Sequence, residues 1–357
     1  MYFSFQALWV LAYLPWNALA APRPSPRVDD GSSPGELIGD LLDGITTPTG
    51  QLIANILIAG EPGQSQLSQN KPSSCPATDP CCVWYDVSAA LTKLFLGRQG
   101  LCNDAARAAI RLGFHDAGTW SKTNKANGQD FGGADGSILL GFGEDLRREN
   151  NGLQAVIVKL QAVRTKYKVG AADLIQFAAN HATVTCPLGP RVRTFVGRKD
   201  ATQAAPQGLL PSMFDSPDNL IALFQDKTIQ PHGLAALVGA HSASKQFTQN
   251  LTLAGQPQDS TPGIWDVIFY NETIQANPAK KLFIFPSDIA LANHPSIKSE
   301  WQSFIDDQLH WNEDYASEYV RLSLLGVNNI NSLTECTIAL PQARLSASSI
   351  VADGVAG

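Results

Sequence analysis

The chain has 357 residues, 44% of them hydrophobic and only 16% charged, against roughly 25% charged in ordinary soluble domains. That composition argues against intrinsic disorder, and a net charge of −6 argues against the basic footprint of a nucleic-acid binder. The length allows one large domain or two ordinary ones.

In chain order, residues 1–20 (MYFSFQALWVLAYLPWNALA) are apolar almost throughout and end Ala18-Leu19-Ala20. This small-residue cleavage pattern reads as a signal peptide removed before Ala21, although its start carries no positive charge. As a membrane anchor the stretch is short and interrupted by Pro15 and Asn17, so no stable membrane insertion is expected. Secretion agrees with two glycosylation triplets, Asn250-Leu251-Thr252 and Asn271-Glu272-Thr273. It also agrees with six cysteines, an even number that suits three disulfides. No CxxC pair occurs, and the adjacent Cys81 and Cys82 are poorly placed to hold one zinc ion.

Residues 21–74 read as a flexible leader. Residues 36–59 leave room for one or two short helices broken by Pro48 and Gly50, and 60–74 are linker-like. A GxSxG string (Gly31–Gly35) lies in a Pro-rich tract, where a hydrolase elbow has no strand before it. From Cys75 the texture changes. Apolar residues recur at helical spacing over 83–96, 104–114, 152–167, 171–182, 217–226, 232–241 and 301–325. Asp104 and Asp218 are expected caps. Strand signals are limited to 193–196 and 282–285. The expectation is a mainly α domain over 75–342 with a tail at 343–357.

Arg111 and His115 stand four apart on a predicted helix, flanked by Ile110, Leu112 and Phe114. They therefore share one face. A guanidinium beside an imidazole keeps the ring neutral and basic, which suits proton transfer coupled to stabilisation of a developing anion. Downstream, Gly132-Gly133-Ala134-Asp135-Gly136-Ser137, taken with Asp116, offers hard oxygen ligands of the kind calcium takes. Alone, that string is a Gly-rich turn. His241 ends an apolar helical run, where a lone His is usually a core residue. Residues 259–266 (DSTPGIWD) form a second oxygen-rich loop, and Asp288 follows LFIFP. A buried Asp accepting the Nδ1 proton of a His makes that ring a better metal ligand.

Together these strings, RLGFHDAG, GGADGS, GAHSAS, DSTPGIWD and PSD, resemble in content and order the secreted fungal haem peroxidases, class II of the plant-type superfamily, over about residues 75–341. The resemblance implies a mainly α plant-type peroxidase fold around haem b, with two calcium ions. It implies that His241 is the axial iron ligand with Asp288 as its partner. His115 would be the distal acid/base, Arg111 the distal cation and Phe114 the distal aromatic, with Asn150 fixing His115. Distal calcium would take Asp116, Gly133, Asp135 and Ser137. Proximal calcium would take Ser242, Asp259, Thr261, Ile264 and Asp266. The implied disulfides are Cys75–Cys82, Cys81–Cys336 and Cys102–Cys186, and Ser299 stands near where a further family cysteine would be.

The same resemblance implies hydrogen peroxide as oxidant and a monomeric enzyme. The manganese-site positions hold Asp104, Ala108 and Phe247, so two of three carboxylates are missing. The exposed catalytic tryptophan of lignin-degrading members is replaced by Ala236. Small phenols or dyes at the haem edge are then the expected donors, with Trp120 a minor candidate for an electron relay. AGTWSKTNK also resembles intracellular ascorbate and cytochrome c peroxidases, but Phe114, the cysteines and both calcium loops favour the secreted class. The competing reading is a catalytically weak, peroxidase-like extracellular protein that binds calcium and haem and acts by binding.

Overall fold

The computed structural model describes residues 35–76, 78–275 and 281–344. The expected signal peptide, the leader up to residue 34 and the tail from residue 345 lie outside them. Twelve α-helices occur among the described residues: α1 (Pro48–Ile58), α2 (Cys82–Phe95), α3 (Asp104–Ala117), α4 (Lys122–Ala126), α5 (Gln154–Tyr167), α6 (Ala171–Thr185), α7 (Pro217–Gln225), α8 (Pro231–Val238), α9 (Ile268–Gln275), α10 (Pro286–Asn293), α11 (Lys298–Ser303) and α12 (Gln308–Leu322). One two-stranded antiparallel sheet pairs β1 (Phe195–Val196) with β2 (Thr334–Glu335), Phe195 opposite Glu335. The expected strand at 282–285 does not form, and the Phe283 amide instead donates to the Pro257 carbonyl at 2.8 Å.

Helix α6 is buried on every side, and its buried polar side chains are hydrogen-bonded, Gln176 to the Gly113 carbonyl, Asn180 to Thr194 and Asp173 to the Gly197 amide. Helix α3 packs closely against it, and Gly113 makes that approach possible. A Cβ there would lie 2.2 Å from the Tyr319 hydroxyl and 2.6 Å from the Ala179 methyl. The helix starts are set by neighbours of the expected caps. Asn103 accepts from the Ala105 and Ala106 amides, and Ser216 from Asn219. Asp104 and Asp218 sit in the first turn instead, where the helix dipole favours a carboxylate. The expected single helix over 301–325 is two, α11 and α12. Asp306 turns the chain between them at φ +62°, and Asp307 caps α12.

The leader is corrected most. Pro48 does not break a helix but begins one, at the position where its fixed φ and missing N–H cost nothing. Thr47 caps α1 by accepting from Gly50. Ile38, Leu41, Ile53, Ala54, Ile56 and Leu57 are all part of the common core. Polar groups fix the segment as firmly. Buried Arg321 of α12 donates to the carbonyls of Glu36 and Leu57, both at 2.8 Å. Asn331 donates to Asp40 at 2.9 Å and Gly44 at 3.0 Å and accepts from the Thr46 amide.

The six cysteines pair as Cys75–Cys82, Cys81–Cys336 and Cys102–Cys186. Cys81–Cys336 joins residues 255 apart, so opening it releases by far the largest loop. A Cys81→Ser/Cys336→Ser double variant is expected to lose about 5 kcal/mol of stability. Urea unfolding under non-reducing conditions measures this, and an unchanged midpoint would contradict it. No helix among the described residues is long and apolar enough to cross a membrane.

Candidate active site

Helix α3 and the 3-10 turn Gly239–Ala243 after α8 contribute to one cavity of about 670 Å³, within the usual range for cofactor and ligand pockets. Arg111, Phe114 and His115 line it from α3, with Leu234, Leu237, Val238 and His241 from α8 and the turn, and Phe285 and Asp288 from the start of α10. The spacing of four on α3 brings Arg111 Nε to 3.0 Å from His115 Nε2. The guanidinium also donates to the carbonyls of Asn151 at 2.9 Å and Glu149 at 2.7 Å.

At the other ring nitrogen, His115 Nδ1 lies 2.8 Å from Asn150 Oδ1, and Asn150 Nδ2 donates to the Glu144 carbonyl at 2.8 Å. Since Nε2 accepts from Arg111, the ring is neutral and Nδ1 carries its proton. Burial, with the adjacent Arg111 charge second, pushes the His115 pKa down to about 3. Burial also lowers Arg111, to about 10. Phe114 stacks on Phe224, ring centres 5.9 Å apart.

His241 Nδ1 meets Asp288 Oδ2 at 2.9 Å. Asp288 is buried and its Oδ2 also accepts from Gln258 Nε2 at 3.2 Å. Phe269 and Phe285 set their ring edges and faces against the imidazole. The carboxylate holds the Nδ1 proton, which leaves Nε2 as a lone-pair donor.

The two oxygen-rich loops are each built around buried carboxylates. Asp116 Oδ1 accepts from the Gly136 amide at 3.0 Å, and Asp135 Oδ1 from the Ser137 amide at 3.0 Å. Gly133, at φ +101°, makes the turn between them, and a Cβ there would lie 2.2 Å from the Leu325 carbonyl oxygen. Burial, and then the charge of Asp135, raises Asp116 well above the ordinary carboxylate range. In the second loop, Asp259 is raised by burial and then by Asp266, and burial moves Asp266 up to about 6. Thr261 Oγ1 donates to Asp266 at 2.8 Å, and the Ile264 amide to the Thr261 carbonyl at 2.8 Å. Ser137 Oγ, Ser242 Oγ and Asp259 Oδ2 are buried without a hydrogen-bond partner. Buried like charges beside orphaned oxygens are unfavourable unless a cation gathers them, so both donor sets fit calcium.

Sequence reasoning overlooked Gln258, Glu144, Phe224 and Phe285, none of which carries a motif. The manganese-type positions Asp104, Ala108 and Phe247 line the cavity, but the Asp104 carboxylate is taken by Arg107 at 2.5 Å. Ala236 is fully buried. The five described tryptophans are each at most 5% exposed, Trp120 among them.

A cavity with an Arg/His pair and a carboxylate-backed His is the site of a peroxidase. The peroxidase family model matches residues 83–307. The chain is 32% identical to a peroxidase of Arthromyces ramosus over 76% of this chain and 80% of that one. It is 33% identical to a peroxidase of Coprinopsis cinerea at the same coverage, and 34% identical to ligninase LG2 of Phanerodontia chrysosporium over 73% and 75%. The chain belongs to the peroxidase family and groups with its fungal class II members. It is a haem peroxidase that acts on hydrogen peroxide.

Proposed function

We propose that this chain is a secreted peroxidase that oxidises small phenolic or aromatic donors, with haem b on His241 and a calcium ion in each oxygen-rich loop. The observation that carries the reading is the Arg111–His115–Asn150 chain opening on the same cavity as His241–Asp288. Haem, when bound, would supply the iron at which the peroxide O–O bond breaks and would hold the oxidising equivalents that peroxide delivers until the donor takes them.

The side chains handle the protons. His115 Nε2 takes the proton of the incoming peroxide, displacing the Arg111 N–H that now occupies it. The freed guanidinium donates to the oxygen on which negative charge develops. His115 then returns the proton to the departing oxygen, which leaves as water. Asn150 keeps the Nδ1 proton in place throughout, so Nε2 alone exchanges. Asp288 holds His241 in the orientation and tautomer a metal ligand needs.

Distal calcium is assigned to Asp116, Gly133, Asp135 and Ser137, and proximal calcium to Ser242, Asp259, Thr261, Ile264 and Asp266. The Asp104–Arg107 pair and the buried tryptophans support donors that reach the cavity itself. The test is steady-state turnover of a phenol, Mn(II) and a high-potential aromatic ether, each with and without peroxide. Peroxide-dependent oxidation of the phenol alone is expected. Turnover of Mn(II) as fast as the phenol would overturn the donor assignment.

A further inference from the structure

The sequon at Asn250 stands beside the mouth of the cavity. Gln246, Phe247, Thr248 and Gln249 line the cavity, and Asn250 is the next residue. Buried Gln246 fixes the base of this loop. Its Oε1 accepts from the Asn250 amide at 3.1 Å, and its Nε2 donates to the Asn250 carbonyl at 3.0 Å. The loop reaches the far lip of the mouth: a Cβ placed on Gly152 would meet Arg111 Nη1 at 3.6 Å and Thr248 Cγ2 at 3.8 Å.

Within the loop, Asn250 Oδ1 accepts from the Thr252 amide at 3.0 Å and the Thr252 hydroxyl at 2.7 Å. Both bonds use Oδ1, so neither engages Nδ2, the atom that carries an N-linked sugar. Two large apolar side chains on the same loop face water, Phe247 at 47% and Leu251 at 79% exposure. The second sequon is placed differently: Asn271 is on α9, its Thr273 is fully buried, and none of residues 268–275 lines the cavity.

We propose that Asn250 carries an N-linked glycan that covers Phe247 and Leu251 and narrows the cavity mouth to small donors. This rests on the secreted, cavity-oxidising reading above. In the transfer, Asn250 Nδ2 replaces the pyrophosphate of a lipid-linked oligosaccharide at the anomeric carbon and gives up one proton. The sugar is bulky and hydrated, and it is tethered where no core contact competes with it.

The holoenzyme secreted from a glycosylating fungal host is compared with Thr252→Ala, Asn250→Gln and Asn271→Gln by intact mass. A small phenol and a bulky dye are then compared as donors. Thr252→Ala and Asn250→Gln are each expected to lose the mass of one glycan. Both should raise kcat/KM for the dye about fivefold while leaving the phenol unchanged, since gating alters access rather than chemistry. Trimming the wild-type glycan to its first sugar should do the same, and Asn271→Gln should not. Equal masses of wild type and Thr252→Ala would overturn the glycan. A glycan whose removal leaves the dye-to-phenol ratio unchanged would overturn the gate. If wild type oxidises neither donor, the donor reading falls and the gate with it, while the mass arm still decides the glycan.

Discussion

His115→Ala is expected to slow the reaction with hydrogen peroxide about 10²–10⁴-fold, the range for losing a positioned acid/base. The fold and the cavity should survive, because the ring is held by hydrogen bonds to Arg111 and Asn150 and leaves the remaining partners of Arg111 intact. The pH dependence follows from the same contacts. His115 must be neutral to accept a proton, and burial with the Arg111 charge puts its pKa near 3. The rate constant for peroxide should therefore be flat from neutral pH into the acid range and fall only around pH 3. In Arg111→Leu the repelling charge is gone, so the acid limb should move upward as the rate drops. Stopped-flow mixing with peroxide measures both effects, and an undiminished rate in either variant would refute the assigned roles.

Calcium removal should have the largest effect on stability. Each site filled at a thousandfold excess over its dissociation constant contributes about 4 kcal/mol, about 8 for the two, which for a domain of this size corresponds to a Tm change of about 12 °C. Chelation of the holoenzyme followed by calorimetry tests this, and an unchanged Tm would refute it. Without the cation, Asp116, Asp259 and Asp266 have raised pKa values, the last about 6. Groups raised in the fold contribute stability below their unfolded pKa and lose it as pH climbs through the folded one. The chelated protein should thus lose stability as the pH climbs from about 4, through about 6 for Asp266 and further for Asp116 and Asp259, while the loaded protein is spared. The calcium-dependent difference in Tm should be larger at pH 7 than at pH 4.

Much of this was legible in the sequence for a physical reason. Helices that bury one face repeat that face every 3.6 residues, so α2, α3, α5 and α7 appear in the spacing of apolar residues. Arg111 and His115 were legible because their contact is local, four residues along one helix. Asp288 and His241 are 47 residues apart, and their pairing was visible only through resemblance. Glu144 and Gln258 left no trace, because a backbone carbonyl or an amide can be recruited from any segment that passes nearby. The leader was misjudged for a related reason. Pro48 and Gly50 are punctuation in a one-dimensional reading, yet one begins a helix. The other packs against Asn331, where a Cβ would fall 2.3 Å from its side-chain oxygen.

The contacts of Arg321 and Asn331 with residues 36–57 also constrain the order of assembly. Thr46 and Asn331 are separated by 285 positions, and the Glu36 and Leu57 carbonyls wait for an arginine near the far end of the chain. During vectorial synthesis residues 36–57 emerge before α12, whose Arg321 bonds their carbonyls. Contacts this distant along the chain are slow to form, and the apolar stripe of α1 stays uncovered in the interval. Helix α12 and the turn at Asn331 therefore complete the core for residues 36–57, which stay without their native partners until both have been made.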